Sequence, residues 1–172
     1  MANTKPVSNE HTAMQIRNAN EADLGTIQNL LNENDLPVED VSTTLIEGFL
    51  VAEDARGTVV GSGGLEQIGS SVLLRSLALT QEWRGTGVAR KLVELLEDNA
   101  RSLGQQEVWL LTTTAERFFE RAGYERVNRD EVPSDVRLCT QFAVLCPSTA
   151  LCMRKRLLPR SSPTVVEPPV SS

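Results

Sequence analysis

Residues 80–98 read TQEWRGTGVARKLVELLED and place two glycines, Gly85 and Gly87, directly before a strongly amphipathic helical pattern. A serine or aspartate cap would fill the space in front of the first helical amides, whereas glycine leaves that space open. Those amides lack intrahelical partners and lie at the positive end of the helix dipole. The stretch therefore predicts a phosphate-binding turn at residues 84–89, with a simple tight connection between strand and helix as the alternative.

Strand patterns lie on both sides of this turn. Before it, GFLVAED (48–54), TVVGSGGLEQI (58–68) and SVLLRSLALT (71–80) are typical of an antiparallel meander. After it, the apolar spacing predicts a helix that ends at Gly104, followed by the strand EVWLLTT (107–113). A strand, a helix and a second strand in this order form a right-handed parallel crossover. We therefore expect an α/β fold with a mixed, mostly antiparallel central sheet flanked by helices.

The residues before the meander predict an edge strand and two helices. MQIRNA (14–19) alternates like a short strand, and NEADLGTIQNLLNEN (20–34) has one apolar helical face that Asn20 is placed to cap. LPVEDVSTTLIEG (36–48) predicts a second short helix, because Pro37 suits a first helical turn.

The C-terminal part predicts two more helices and a strand. AERFFERAGY (115–124) is typical of a short helix that ends at Gly123, and PSDVRLCTQFAVLCP (133–147) of a further helix between prolines. STALCMRKRL (148–157) has the composition of a last strand.

The 172 residues fit one domain, which we place at residues 14–158. Residues 1–13 and 159–172 have no apolar periodicity, so we expect both segments to be disordered tails. No internal repeat is present.

Composition narrows the classes of function. The net charge of -6 and the lack of a basic stripe argue against broad nucleic-acid binding, and no run approaches the roughly 18 apolar residues of a membrane span. Three cysteines without a Cys-x-x-Cys pair favour a reducing, cytoplasmic location. The single histidine, His11, lies in the N-terminal tail, so we expect neither a metal site nor a Ser-His or Cys-His nucleophile. The expected partner is a small molecule, bound by a monomer or a homodimer.

The motif RGTGVA at Arg84–Ala89 is not a Walker loop, because no Gly-Lys-Ser/Thr follows, and it is a poor dinucleotide fingerprint after an antiparallel meander. It resembles the signature of the GNAT superfamily of N-acetyltransferases, which is Arg or Gln, two residues, Gly, one residue, then Gly or Ala. A second segment, FFERAGY (118–124), is similar to the family's aromatic-rich helix that ends in glycine and an aromatic residue. The similarity covers residues 14–158. TTTAERFFERAGY and TQFAVLCPSTALCMRK further resemble the arsenic-resistance-associated N-acetyltransferases.

The resemblance implies that acetyl-coenzyme A is the cosubstrate. Its pantetheine arm would pair with the main chain near residues 77–79, and its pyrophosphate would lie on the amides of residues 85–89. The cofactor-binding residues predicted in this way are Leu77, Ala78, Leu79, Arg84, Gly85, Thr86, Gly87, Val88, Ala89, Thr112 and Phe119.

The predicted chemistry is attack of an amine on the thioester. We expect the strands LRSLAL (74–79) and VWLLTT (108–113) to be splayed and to expose unpaired backbone groups between them. The amide of Leu77 is expected to donate to the thioester oxygen as negative charge develops. Glu66 is the candidate general base, with a solvated carboxylate beside a turn as the alternative. Relatives often carry a tyrosine general acid where this chain has Phe119, so the resemblance implies no general acid at this position. They often carry an asparagine that contacts the cofactor where this chain has Thr112, so that contact is expected to come from a hydroxyl or to be absent.

The acceptor is predicted to be the primary amine of a small, amino-acid-like molecule. Arg75 and Arg137 are the candidate clamps for its acidic end, because the guanidinium fork matches a carboxylate. The alternative for both is an ordinary surface arginine. Arsenic-containing or phosphinic amino acids fit this class of acceptor by family analogy alone.

Two functions from other classes remain open. One is a non-catalytic module that binds acetyl-coenzyme A, and the other is a metalloid sensor that uses Cys139, Cys146 and Cys152, although lone cysteines usually fill apolar space. Trp83 is expected to be an exposed turn residue, and Trp109 a residue of the sheet.

Overall fold

The structure, a computed structural model, describes residues 14–138 and 149–158. Short 3-10 turns at Glu21–Asp23, Leu45–Gly48, Gln81–Trp83 and Arg129–Glu131 join the main elements. Those elements are, in chain order, β1 (Gln15–Asn18), α1 (Leu24–Glu33), β2 (Phe49–Glu53), β3 (Val59–Ile68), β4 (Ser71–Leu79), α2 (Val88–Ser102), β5 (Glu107–Thr112), α3 (Glu116–Arg121), β6 (Glu125–Val127), α4 (Ser134–Arg137) and β7 (Leu151–Arg156).

The described strands form one seven-stranded sheet in the order β1-β2-β3-β4-β5-β7-β6. Every neighbouring pair is antiparallel except β4 and β5, which run parallel because α2 connects them as a crossover. The prediction of a mixed, mostly antiparallel sheet flanked by helices is therefore confirmed. Strand β6 was not predicted, since its three residues are too few to show an alternating pattern.

Helix α2 covers one face of the sheet. Its apolar stripe, which includes Leu92, Val93 and Leu96, is fully buried against strand residues such as Val72 and Leu74. The helix ends where the pattern predicts, because Gly104 adopts a positive φ of 78° directly after it.

Helix α1 covers the other face, where Ile27 and Leu31 pack against Phe49 of β2. The Asn20 side chain accepts a hydrogen bond from the Ala22 amide at 3.0 Å, and the Asp23 carboxylate accepts one from the Asn20 amide at 2.8 Å. These two bonds form the predicted capping box, on the 3-10 turn that leads into α1.

Two local predictions are wrong. Residues 36–44 form no helix, and only the 3-10 turn Leu45–Gly48 appears in the segment that Pro37 was expected to open. The side chain of Asp40 in this loop instead reaches an arginine of β4, which fixes the loop by a tertiary contact. Trp83 is 5% exposed rather than solvated, because the turn before α2 directs its indole into the core around Val88. Trp109 is a buried sheet residue as predicted.

The C-terminal predictions are only partly described. Helix α4 covers the first turn of the helix predicted at residues 133–147, whereas residues 139–148, with Cys139 and Cys146, lie outside the described residues. The predicted tails 1–13 and 159–172 lie outside them as well. In the part of the chain that is described, no helix has the length and apolar character to span a bilayer.

Candidate active site

The turn at residues 84–89, called the phosphate turn below, presents open backbone in front of α2. Gly85 and Gly87 adopt positive φ angles of 76° and 90°, and a Cβ added to either would meet no atom within 4 Å. The first helical bond joins the Lys91 amide to the Gly87 carbonyl at 3.1 Å, so the amides of residues 88–90 have no acceptor within the helix. The first turn of α2 carries no acidic residue. Because the space is empty and its walls are amide donors, the turn fits a bound phosphate.

Side chains of the phosphate turn hold the turn itself. The Thr86 hydroxyl donates to the Trp83 carbonyl at 2.5 Å, and the Arg84 guanidinium donates to the Asn34 side-chain oxygen at 2.8 Å. The Asn34 amide group in turn donates to the carbonyl oxygens of Leu30 at 2.8 Å and Leu79 at 3.2 Å. Asn34 therefore connects the phosphate turn to the end of β4.

The other two motif residues lie at the start of the helix. Val88 is buried in the core, and Ala89 is half-buried beside it. Because both side chains pack into the protein, Val88 and Ala89 would contact a phosphate through their main-chain amides.

Strands β4 and β5 separate beside this turn. Within the described residues they share one register pair, Leu73 with Trp109, and then diverge. A cavity of about 660 Å³ opens between them, lined by residues 74–77 of β4, residues 110–112 of β5, and the loop that begins at Asn34. Ala78 and Leu79 are buried and are not among the lining residues. The predicted splayed strand pair is thus present, with Leu77 on its wall.

A β-bulge shapes the β4 wall. Ser62 pairs with Ala78 and Gly64 pairs with Arg75, so that two β4 residues lie opposite Gly63 alone. These two residues, Ser76 and Leu77, are called the β4 bulge below. Ser76 has a positive φ of 58°, a conformation that non-glycine residues adopt rarely.

Arg75, at the start of this bulge, is fully buried and lines the cavity. Its Nη1 donates to Asp40 at 2.5 Å and to Glu66 at 2.7 Å, and its Nη2 donates to the second Asp40 oxygen at 2.6 Å. Burial acts to lower the pKa of Arg75, but the hydrogen bonds to both carboxylates outweigh it and raise the pKa above its usual value. The predicted acceptor clamp is therefore already filled by carboxylates of the protein.

The predicted base and the second predicted clamp lie away from the cavity wall. Glu66 is outside the lining and accepts a hydrogen bond from the Arg75 guanidinium. Arg137 is exposed at the end of α4 and is not a lining residue either. The structure thus brings Glu66 close to Arg75 and leaves Arg137 apart.

Thr112 and Phe119 also line the cavity. The Thr112 hydroxyl accepts a hydrogen bond from the Ala115 amide at 3.0 Å, which holds the turn into α3. Phe119 packs edge-to-face against Tyr124, with 5.5 Å between the ring centroids. The Tyr124 hydroxyl is buried without a hydrogen-bond partner among the described residues, and burial raises its pKa far above the usual value. Tyr124 is therefore a core residue.

Two residues of this site carried no signal in the sequence. Asp40 and Asn34 lie in or next to the loop after α1, and their partners Arg75 and Arg84 are 35 and 50 residues away. Only the folded chain brings these groups together.

The comparisons with known proteins agree with this geometry. The family model described as an acetyltransferase (GNAT) domain matches residues 46–126, which include the phosphate turn and both splayed strands. An amino-acid acetyltransferase of Mycobacterium tuberculosis is 30% identical over 139 residues, which cover 75% of this chain and 79% of that relative. The chain belongs to the GNAT acetyltransferase superfamily. An uncharacterized N-acetyltransferase of Chlorobaculum tepidum is 34% identical over 109 residues, 62% of this chain and 66% of its own length.

Solved GNAT structures share the fold. Rv2747 of Mycobacterium tuberculosis, solved in complex with CoA and NLQ, superposes with a TM-score of 0.73 at 26% identity, covering 84% of this chain and 99% of that one. N-acetylglutamate synthase of Neisseria gonorrhoeae, complexed with coenzyme A and N-acetyl-glutamate, gives a TM-score of 0.74 at 21% identity over 84% of this chain. This chain spans only 35% of that synthase.

Membership in this GNAT superfamily confirms the predicted N-acetyltransferase class and the predicted acetyl-coenzyme A cosubstrate at the level of the family. None of the matches described here identifies an arsenic-resistance protein.

Proposed function

We propose that this chain transfers an acetyl group from acetyl-coenzyme A to the primary amine of a small, amino-acid-like molecule. The observation that carries the proposal is the arrangement of the phosphate turn next to the splayed β4 and β5 strands. Open amides can hold a diphosphate, and the gap between the strands gives the thioester arm a path to the cavity.

The donor would be held mainly by backbone. The amides of residues 85–89 would bind the pyrophosphate, while the main chain of Leu77, Ala78 and Leu79 would pair with the pantetheine arm on the edge that β5 leaves free. Arg84 and Thr86 would support the turn, because their side chains are already hydrogen-bonded within the protein. The structure of Rv2747 with CoA supports this assignment by similarity.

The protein would accelerate the reaction by positioning and by one amide. In the reaction the amine nitrogen bonds to the acetyl carbon, the carbon–sulfur bond breaks, the amine loses a proton and the thiolate gains one. The Leu77 amide would stabilise the negative charge on the thioester oxygen. Glu66 is engaged with Arg75 and could act only through water, while Phe119 carries no proton to give. A thiol of pKa near 8.5 can leave without an acid, so solvent would protonate it.

The acceptor class is supported by the relatives. The Mycobacterium tuberculosis relative is named an amino-acid acetyltransferase, and the Neisseria synthase was solved with N-acetyl-glutamate. We place arsenic-containing or phosphinic amino acids in the same class on the resemblance of TTTAERFFERAGY and TQFAVLCPSTALCMRK alone, and a cytoplasmic location on the cysteine pattern alone.

The test is thiol release from acetyl-coenzyme A with a panel of amino acids and diamines, combined with detection of the product by its mass increase. Turnover with an amino acid would support the proposal. Turnover with diamines alone would refute the proposed acceptor class and identify diamines as the acceptors. Isothermal titration with acetyl-coenzyme A is the companion measurement, since failure to bind would refute the donor assignment.

A second candidate function is a non-catalytic module that binds acetyl-coenzyme A. The observations that favour it are Phe119 in place of an acid and the pairing of Glu66 with Arg75. Tight donor binding without turnover on any amine of the panel would favour this module over the enzyme.

A further inference from the structure

The Arg75 side chain is built into the β4 bulge, and four of the five N–H donors of its guanidinium group bond to acceptors among the described residues. Besides the bonds to Asp40 and Glu66, its Nε donates to the Ser76 hydroxyl at 3.2 Å. Each nitrogen of the guanidinium therefore has a protein acceptor, and those acceptors come from three places: the loop after α1, strand β3 and the bulge.

An acceptor carboxylate would need the guanidinium fork that Asp40 already occupies in a bidentate way. Displacing Asp40 would leave that carboxylate without its partner beside the cavity. The contacts therefore point to a role for Arg75 inside the protein rather than toward the acceptor.

The bulge also needs such support. A non-glycine residue at positive φ is strained and persists when its surroundings over-determine it. Ser76 is held at its hydroxyl and at its carbonyl: Arg75 donates to the hydroxyl, and the Ser62 hydroxyl donates to the carbonyl oxygen at 3.2 Å. Ser62, Arg75 and Ser76 are all buried, so water does not compete for these bonds.

The Ser76 carbonyl and the Leu77 amide belong to one peptide group. The described chain has no cis peptide, and in a trans peptide the C=O and N–H bonds point in opposite directions. The carbonyl points to Ser62 on β3, so the Leu77 amide is directed away from β3. That is the side on which β5 diverges and the cavity opens.

We propose that Ser62 and Arg75 are positioning residues that together orient the Leu77 amide into the cavity, with Asp40 and Glu66 holding Arg75 in place. The inference rests on the proposed function, because it concerns the amide that would bind the thioester oxygen. It assigns Arg75 to the geometry of that amide rather than to recognition of the acceptor.

The test compares the Leu77 amide signal in NMR spectra of the protein with coenzyme A and with acetyl-coenzyme A. In the wild type, the acetyl oxygen accepts a hydrogen bond and shifts the Leu77 proton relative to the coenzyme A complex. In Ser62→Ala and in Asp40→Asn this difference should fall by about half or more, while the Kd for acetyl-coenzyme A stays within about threefold. Loss of one oxyanion donor costs about 100-fold or more in kcat, so a misdirected donor should lower kcat about tenfold with KM unchanged.

Ser71→Ala is the matched control, because Ser71 is another buried serine of β4 that lies away from the bulge. It should leave the Leu77 shift and kcat unchanged. Thermal melting of each variant shows whether it is folded, and Glu66→Gln provides a second way to loosen Arg75 if Asp40→Asn does not fold.

The outcomes separate the two proposals. If the wild type does not bind acetyl-coenzyme A, the proposed function and this inference fail together. If it binds but the Leu77 shift is absent, or is equally large in folded Ser62→Ala and Asp40→Asn proteins, the inference alone is overturned. A raised KM for an acidic amino acid at constant kcat in Asp40→Asn would also overturn it, since Arg75 would then bind the acceptor.

Discussion

The phosphate turn and the β4 bulge both place the backbone at positive φ, and they are built in opposite ways. At Gly85 and Gly87 the space where a side chain would lie is empty, and the following amides have no acceptor within the helix. At Ser76 the hydroxyl and the carbonyl are both hydrogen-bonded to buried side chains. The first region leaves backbone donors free for a ligand, and the second uses side-chain donors to hold one peptide still.

The difference indicates how to distinguish a binding surface from a supporting one. Backbone amides without acceptors around an open space favour anion binding. The binding lowers the free energy because a charged acceptor replaces water at each amide. A buried group whose partners are complete has no capacity left, so changing it alters geometry or stability instead of removing a ligand contact.

The largest expected effect is on donor binding through Gly87. Gly87→Glu should raise the Kd for acetyl-coenzyme A by about 100-fold or more, because a carboxylate would occupy the phosphate space and a side chain is strained at φ 90°. Isothermal titration measures this change. Gly104→Glu is the matched control, since Gly104 has a similar φ of 78° and open surroundings at the far end of α2. Equal affinities of the two variants would contradict the role of the phosphate turn.

The next effect tests the packing beside the β4 bulge. Gly64 pairs with Arg75, and a Cβ at this position would overlap the Phe49 ring. Gly64→Ala should therefore lower the free energy of unfolding by about 1–3 kcal/mol, as overpacking does. Gly25→Ala in α1 is the control, because a Cβ there meets no atom within 4 Å and should stabilise the helix by about 0.5–1 kcal/mol. Urea unfolding measures both, and a stable Gly64→Ala protein would show that the sheet yields at the bulge.

A smaller effect is expected at Asn34, which connects the phosphate turn to the end of β4. Asn34→Ala removes the bonds to Arg84 and to the Leu79 carbonyl, each worth about 1 kcal/mol, so the Kd for acetyl-coenzyme A should rise about five- to tenfold. Asn32→Ala is the control, because Asn32 is exposed in the last turn of α1, and this variant should have the wild-type Kd. If both variants bind like the wild type, the phosphate turn does not depend on α1.

The smallest effect is expected at Cys152, which lies in neither region. Burial raises the pKa of its thiol to about 11, against weaker lowering by Arg129 and Arg154. Its thiolate fraction at neutral pH is thus about a hundredfold below that of an ordinary cysteine, and alkylation by iodoacetamide should stay slow until the protein unfolds. Cys152→Ala should change the Kd for acetyl-coenzyme A by less than about twofold. Fast native alkylation, located by peptide mapping, would support the metalloid-sensor alternative.

Features that depend on near neighbours in the chain could be predicted from the sequence. The apolar spacing of α2, the glycines of the phosphate turn and the capping box at Asn20 each involve residues a few positions apart. The meander and the parallel crossover followed from strand patterns and chain order. Trp83 was predicted wrongly because an aromatic residue among polar ones has the same local pattern whether its ring faces water or the core.

The residues of the candidate site likewise fall into those that the sequence predicts and those that only the structure reveals. Gly85, Gly87 and the position of Leu77 on a splayed strand could be derived from motif and order, whereas the partners of Arg75 could not. A charge clamp depends on distances between side chains that are far apart in sequence, and Asp40 lies in a loop whose path is set by that contact itself.

Amino-acid order alone was therefore enough for the α/β sheet, the helix behind the glycine turn and the family, because backbone preference and hydrophobic periodicity act over short distances. The tertiary structure alone decided that Arg75 pairs with two carboxylates of the protein, that Glu66 bonds to Arg75 without lining the cavity, and that the Ser76 carbonyl accepts from Ser62. These outcomes depend on burial and on the pairing of distant charges, which exist only after the chain has folded.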